Sequence, residues 1–370
     1  MTSIVFRCDA SLSIGSGHVM RCRTLARELR RRGAEITFIC RQQPGDLIEL
    51  LRQECQVLAL PPLATAASSS PLEGRALYAA WLGCSQQQDV SDCLSVLEQD
   101  GINSAQWLVV DHYGLDASWE SAMREGLGSE PPPQILVIDD LADRTHSCEL
   151  LLDQNLIVEM DQRYRSYVSN NCRLLLGPSF ALVRSEFSEY RQKSLERRAH
   201  PALKRLFISM GGSDPENETT KAVFGAGISC IAWERVDVVV GSGYRAHTCL
   251  AVAMERLPTS KLHIQTNEMA KLMTQADLAI TSAGSITWEK CSLGLPSIVA
   301  ETGDNQVPIA RYGHQQGFLY NLGSSIKLQQ SDYSEAILKM DAIRLADMSH
   351  VGLLVCDAFG AARVASELNK

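Results

Sequence analysis

Two Rossmann-like α/β domains facing a common cleft are the fold that this sequence predicts. Short apolar runs alternate with amphipathic segments almost throughout, the pattern of parallel βαβ units. With 370 residues the chain can bury more than one core. Near the middle a polar stretch from Arg191 to Pro201 interrupts the alternation, and a new strand pattern begins at Lys204. The expected domains are therefore residues 1–198 and 199–370. In open α/β sheets ligands bind at the carboxyl ends of the strands, so the loops that leave those ends carry the candidate site.

In the first half, strands are expected at Ser3–Cys8, Glu35–Cys40, Gln56–Leu60, Gln106–Asp111 and Gln134–Asp139. Helices are expected over His18–Arg32, Gly45–Glu54, Gln87–Gln99 and Asp116–Leu127. Leu60–Glu73, rich in Pro, Ala and Ser, reads as a loop, as does Glu130-Pro131-Pro132-Pro133. The second half repeats the theme. Strands are expected from Lys204 to Met210 and near Asp237–Val240, Lys261–Gln265, Leu278–Thr281 and Ser297–Ala300, with helices between and a closing helix at Asp357–Leu368.

Composition narrows the function. A net charge of −8 argues against nucleic acid as the main partner, because phosphate backbones are bound by clustered Lys and Arg. No run of about 18 uninterrupted apolar residues points to a membrane span, and the first residues reach Asp9 too soon for a signal peptide. The 12 cysteines form no CxxC pair, and Cys8, Cys22 and Cys40 fall inside apolar patterns. Buried, reduced thiols are the expectation, which suits a cytoplasmic protein.

Four strand-to-helix turns carry the chemistry. The first is Arg7-Cys8-Asp9-Ala10-Ser11-Leu12-Ser13-Ile14-Gly15-Ser16-Gly17-His18. Gly15 and Gly17 let the backbone approach a ligand, and His18 falls in the first helical turn, where the helix dipole favours the neutral imidazole a general base needs. A tight turn with a capping histidine is the bland alternative. The second is Met210-Gly211-Gly212-Ser213-Asp214-Pro215-Glu216-Asn217, where Gly211, Gly212 and Ser213 can cup a phosphate and Asn217 either caps the next helix or reaches a substrate.

The third is Thr281-Ser282-Ala283-Gly284-Ser285-Ile286-Thr287-Trp288-Glu289. Gly284 and Ser285 are small enough for a diphosphate to sit at the helix start, and Glu289, one turn on, can accept from both ribose hydroxyls. The fourth is Gly303-Asp304-Asn305-Gln306, whose amides suit sugar hydroxyls or acetamides. Strand-end residues Asp111-His112-Tyr113-Gly114 and Asp139-Asp140 add polar groups to the first domain. No HExxH or Cys/His cluster suggests a metal, no cofactor motif is evident, and no GxSxG elbow suggests an acyl-serine mechanism.

Taken together, Arg-Cys-Asp-Ala-Ser with Ile-Gly-x-Gly-His-Val-Met-Arg-Cys, Val-Val-Asp-His-Tyr-Gly-Leu-Asp, Ile-Asp-Asp-Leu-Ala-Asp-Arg, Gly-Pro-Ser-Phe-Ala-Leu-Val-Arg-Ser-Glu-Phe, Met-Gly-Gly-Ser-Asp-Pro, and Trp-Glu-Lys-Cys followed by Asp-Asn-Gln resemble one family. It is the hydrolase family of pseudaminic acid biosynthesis, which acts on UDP-2,4-diacetamido-2,4,6-trideoxy-β-L-altropyranose. The resemblance runs from Arg7 to about Gly317, and Ser16 stands where the family often has Thr. It implies a glycosyltransferase-B fold related to the enzyme that adds N-acetylglucosamine to lipid-linked muramyl pentapeptide. It also implies cleavage of the anomeric C–O bond by water, with inversion and release of UDP. By position His18 matches the family's catalytic base, Tyr113 and Asn305 match residues around water and sugar, and Asn217 and Glu289 match substrate-binding positions. Two other readings share the nucleotide-sugar site: a transferase to an alcohol acceptor, and a sensor that binds a UDP-sugar without turning it over.

Overall fold

The computed structural model describes residues 2–63, 74–212 and 214–369. They form two compact units. The first comprises residues 1–154, 159–182 and 361–370, and the second residues 155–158 and 183–360. The sequence put the break near residue 198; here the chain passes to the second unit at Val183 and its last ten residues return to the first.

The first unit holds a parallel sheet of β1 (Ser3–Cys8), β2 (Glu35–Arg41), β3 (Gln56–Leu60), β4 (Trp107–Asp111), β5 (Gln134–Ile138), β6 (Leu150–Asp153) and β7 (Arg173–Leu176), in the order β3-β2-β1-β4-β5-β6-β7. Both faces are buried, as parallel sheets require. Along β1, Ile4, Phe6 and Cys8 enter one core cluster while Val5 enters another on the opposite face. The order reverses between β1 and β4, whose ends lie side by side with Cys8 opposite Asp111. Loops leaving two neighbouring strands on opposite sides of a sheet open a crevice between them, which makes this end the ligand-binding position of the fold.

The second unit holds β8 (Arg205–Ser209), β9 (Arg235–Val240), β10 (Ser260–Ile264), β11 (Leu278–Ser282), β12 (Ser297–Glu301) and β13 (Tyr320–Ser324), in the order β10-β9-β8-β11-β12-β13. Its reversal lies between β8 and β11, where Ser209 pairs with Thr281. The two turns singled out for phosphate therefore leave neighbouring strand ends.

Three strands escaped the sequence pattern. β6 and β7 have only four residues each, and β13 carries Asn321 and Gly323 and is nowhere fully buried. Helices escaped it as well, among them Gly74–Leu82 and Ser185–Arg198. Much of the stretch taken for a polar break lies in the second of these. Its polarity is how it docks: Arg191 donates to the Ser292 and Cys356 carbonyls, Ser194 Oγ donates to the Leu293 carbonyl at 2.7 Å, and Arg197 meets Asp277 at 2.6 Å. The closing helix, Gly360–Glu367, packs through Ala361, Val364 and Ala365 onto the β1 core. Ala342–Glu367 is long and apolar enough to be a membrane-span candidate by length and composition, yet it comprises two helices, Ala342–Val355 and Gly360–Glu367. The expected loop Leu60–Glu73 lies mostly outside the described residues, and all the cysteines are free thiols.

Candidate active site

The helix Gly17–Arg31 begins directly after the turn that follows β1. Its inward face repeats at helical spacing: His18, Val19, Arg21, Cys22, Leu25, Ala26 and Leu29 are buried. Apolar members of that stripe hold the helix to the sheet. His18 and Arg21, three apart near its start, instead share the N-terminal end of the stripe and turn toward β4.

There they meet Asp111, the last residue of β4 and fully buried. His18 Nδ1 lies 2.6 Å from Asp111 Oδ1. Arg21 grips the same carboxylate with both arms, Nε to Oδ2 at 2.6 Å and Nη2 to Oδ1 at 2.7 Å. Burial alone would raise the Asp111 pKa, but the Arg21 guanidinium and the His18 ring beside it hold the carboxyl well below its usual range. An ionised carboxylate only accepts, so the proton on this contact belongs to His18 Nδ1. Arg21 Nη2 is also 3.4 Å from Nδ1, a much longer approach than the 2.6 Å contact with Asp111. With the proton on Nδ1, the neutral form of the ring would carry its lone pair on Nε2, which makes no hydrogen bond to any described residue.

Arg21 continues the network through Nη1 to Asp140 Oδ2 at 2.6 Å, and the Tyr113 hydroxyl donates to that same oxygen. Burial, reinforced by the Asp140 carboxylate, pushes the Tyr113 phenol up, so it serves as a donor. Its ring meets the His18 ring edge to face at 4.5 Å between centroids. His18, Asp111, Arg21, Asp140 and Tyr113 are thus one connected constellation within the first unit. Gly15 and Gly17 flank it in the entering loop, where Gly15 forms a bridge with Ser11.

In the second unit the expected residues divide between two pairs of turns. After β8, Gly211 and Gly212 are exposed, while Ser213 lies outside the described residues. The chain after β9 passes so close that a Cβ on Gly241 would stand 2.2 Å from the Gly212 carbonyl oxygen, so residue 241 must be glycine for this approach. Capping of the next helix, Glu218–Ile228, falls to Asp214, which accepts from the backbone of Glu218 and Thr219 at 2.9 and 2.8 Å. Asn217 makes no capping bond; its Oδ1 accepts from the Thr220 and Tyr244 hydroxyls, each at 2.6 Å.

After β11, Ser285 is exposed at the start of the short helix Ile286–Ser292. Glu289 Oε1 accepts from Arg184 Nε and Nη2, each at 2.9 Å, leaving Oε2 without a partner among the described residues. Gln306 ties this turn to the one after β12: its Oε1 accepts from the Ala283 backbone and the Thr302 hydroxyl, both at 3.1 Å. Asn305 is exposed beside it. Among the described residues no group of three or more His, Cys, Asp or Glu is arranged to hold a metal ion.

Sequence reasoning named Asp111 and Asp140 only as polar strand-end residues and gave no role to Arg21 or Arg184. Arg21 had a signal, its three-residue spacing from His18. Asp111 and Asp140 had another, since both stand at carboxyl ends of strands. Arg184 had only its place in the Gly-Pro-Ser-Phe-Ala-Leu-Val-Arg stretch, and its partner is 105 residues away.

No family model matches the chain. Among curated proteins it is 25% identical over 300 residues to an uncharacterised protein of Methanocaldococcus jannaschii, covering 79% of this chain and 54% of that one. It is 29% identical over 164 residues to the spore coat polysaccharide biosynthesis protein SpsG of Bacillus subtilis, covering 44% of this chain and 48% of SpsG. The chain thus spans about half the length of these two relatives. It is 23% identical over 287 residues to the UDP-2,4-diacetamido-2,4,6-trideoxy-β-L-altropyranose hydrolase of Campylobacter jejuni, covering 77% of this chain and 86% of the hydrolase. Among solved structures, Acinetobacter baumannii MurG superposes with a TM-score of 0.64 at 11% identity, covering 100% of this chain and 99% of MurG. Phytolacca americana UGT2, solved with UDP-2-fluoro-glucose and pterostilbene, superposes with a TM-score of 0.68 at 12% identity, covering 100% of both. Two parallel-sheet α/β units and these whole-length superpositions give the chain the glycosyltransferase-B fold.

Proposed function

We propose that this protein hydrolyses a UDP-linked amino-deoxy sugar, UDP-2,4-diacetamido-2,4,6-trideoxy-β-L-altropyranose being the first candidate, at its anomeric carbon. The observation that carries the reading is the 2.6 Å contact from Asp111 to His18 Nδ1, which leaves a lone pair on Nε2. The printed activity of the Campylobacter jejuni relative supplies the substrate class.

In this reading His18 Nε2 takes a proton from water as the water oxygen bonds to the anomeric carbon. The C–O bond to the β-phosphate breaks with its electron pair, UDP leaves, and attack from the opposite face inverts the centre. The imidazolium formed on His18 is stabilised by the ionised Asp111, while Arg21 keeps that carboxylate from taking the proton itself. UDP binds the second unit: Gly211, Gly212, Ser213, Gly284 and Ser285 offer backbone or hydroxyl donors to the diphosphate, and the open Oε2 of Glu289 accepts from the ribose. Preorganised donors at a departing oxyanion are each worth about 3–4 kcal/mol of barrier. Asn217, Asn305 and Gln306 line the sugar and nucleotide positions, Tyr113 positions the attacking water, and no metal enters the reaction.

The fold, shared with the calicheamicin glycosyltransferase CalG4, is equally compatible with a second reading, in which the same base deprotonates an alcohol acceptor. Incubation of the enzyme with the UDP-sugar and EDTA, with no alcohol present, distinguishes the two. Free UDP and free sugar in equal amounts are expected. UDP release that requires an alcohol would make the protein a transferase, release that requires magnesium would make it metal-dependent, and binding without turnover would make it a sensor.

A further inference from the structure

The helix Gly74–Leu82, which the sequence pattern did not reveal, carries two large aromatic side chains one turn apart, Tyr78 and Trp81. Leu82 is its only buried residue, so the helix is not built as a core element. It is fastened over the Asp111–Gly114 segment instead. Arg75 donates to the Tyr113 carbonyl and lies 3.6 Å from Asp116. A Cβ on Gly114 would stand 2.9 Å from His112 Cε1 and 3.0 Å from the Tyr78 carbonyl oxygen, so the bare backbone at residue 114 lets His112 and the helix both pack closely there.

This anchoring places both rings against Tyr113, which itself packs on the candidate base. Trp81 stacks on Tyr113 at 5.8 Å with 22° between planes, and Tyr78 meets Tyr113 edge-on at 5.1 Å and Trp81 at 4.9 Å. The His18 ring lies 4.5 Å from Tyr113 and 6.4 Å from Trp81. Tyr113 is buried beneath this group, whereas Tyr78 and Trp81 keep part of their surface open.

The geometry points to Tyr78 and Trp81 as the wall of the sugar subsite, packing against the apolar C–H face and methyl group of the donor's pyranose ring beside His18. The inference rests on the hydrolase reading for the identity of the sugar. Its chemical basis is independent: the flat faces of these rings attract the C–H face of a pyranose, whereas a diphosphate is held by N–H donors and positive charge. A deoxy sugar, with a methyl in place of a hydroxymethyl, presents more of the surface such a wall accepts.

The test is calorimetric titration of the full chain, with His18→Asn introduced to suppress turnover, by UDP alone and by the UDP-diacetamido-trideoxy sugar. Trp81→Ala should weaken the UDP-sugar about tenfold, the scale of a lost aromatic stacking contact, and leave UDP unchanged. Trp81→Phe should restore most of that loss by returning an aromatic face, and Tyr78→Ala should act in the same direction as Trp81→Ala. Equal weakening of UDP and UDP-sugar, an unchanged UDP-sugar affinity, or no rescue by Phe would each overturn the wall. Failure of the hydrolase reading would show separately, as absence of UDP release by the unaltered enzyme, while the titration still reports whether the rings hold the sugar.

Discussion

Asp111 Oδ1 and His18 Nδ1 stand 2.6 Å apart, and the same carboxylate accepts two hydrogen bonds from Arg21. One buried anion thus fixes which nitrogen of the imidazole carries the proton. Asp111→Asn should break that assignment, because an amide NH₂ turned toward Nδ1 would move the ring proton to Nε2. A fall in kcat of about 10²–10⁴ with little change in UDP affinity is expected. An unchanged kcat would show that Asp111 only holds the helix in place.

His18→Asn should lower kcat by about the same 10²–10⁴ while leaving UDP binding almost intact. In ¹⁸O-water the label is expected in the released sugar. Label in UDP would mean attack at phosphorus and would remove His18 from its proposed role.

Glu289 presents Oε2 while Arg184 holds Oε1. Glu289→Ala should weaken UDP by about 1.5–3 kcal/mol, the worth of a hydrogen bond to a charged group. Calorimetry with UDP alone reads this directly. Unaltered affinity would place the ribose elsewhere.

His112 lies between Asp111 and Tyr113, 2% exposed, and its Nδ1 accepts from the Gly114 backbone at 2.9 Å. Burial pushes its imidazole down from 6.5 to about 4, against the opposing pull of Asp9. Between pH 6.5 and about 4 the unfolded chain therefore binds the proton and the folded one does not. Stability from this group is full above pH 6.5 and is lost as pH falls toward 4, by on the order of 3 kcal/mol. His112→Asn should flatten that part of the stability–pH curve in urea titrations. A slope in this window equal to that of the unaltered protein would assign the loss to other groups.

Position along the chain was enough to place His18 at a strand-to-helix turn. A strand, a Gly-Ser-Gly-His turn and a helix are local features, set by hydrophobic period and by residues tolerant of tight backbone. The small-residue turns after β8 and β11, proposed for the diphosphate, were legible for the same reason. Length hid β6 and β7, since four residues show no period, and Asn321 and Gly323 hid β13. Ser185–Arg198 read as a break because its arginines and Ser194 bond to carbonyls and a carboxylate some 80 to 165 residues away, where local polarity says nothing about docking.

By itself, then, the sequence determined the alternation that makes two doubly wound sheets, the turns at their strand ends and the histidine in the first of them. Only the tertiary structure decided what that histidine touches. Asp111 reaches it because β1 and β4 are neighbours at the point where the strand order reverses, a pairing between residues 93 apart. The same adjacency lets Arg21 bridge Asp111 to Asp140 and brings the rings of Tyr78 and Trp81 against Tyr113. Such contacts depend on which strands pair and which helix is anchored across them, choices made by burial over the whole sheet and not by any local pattern.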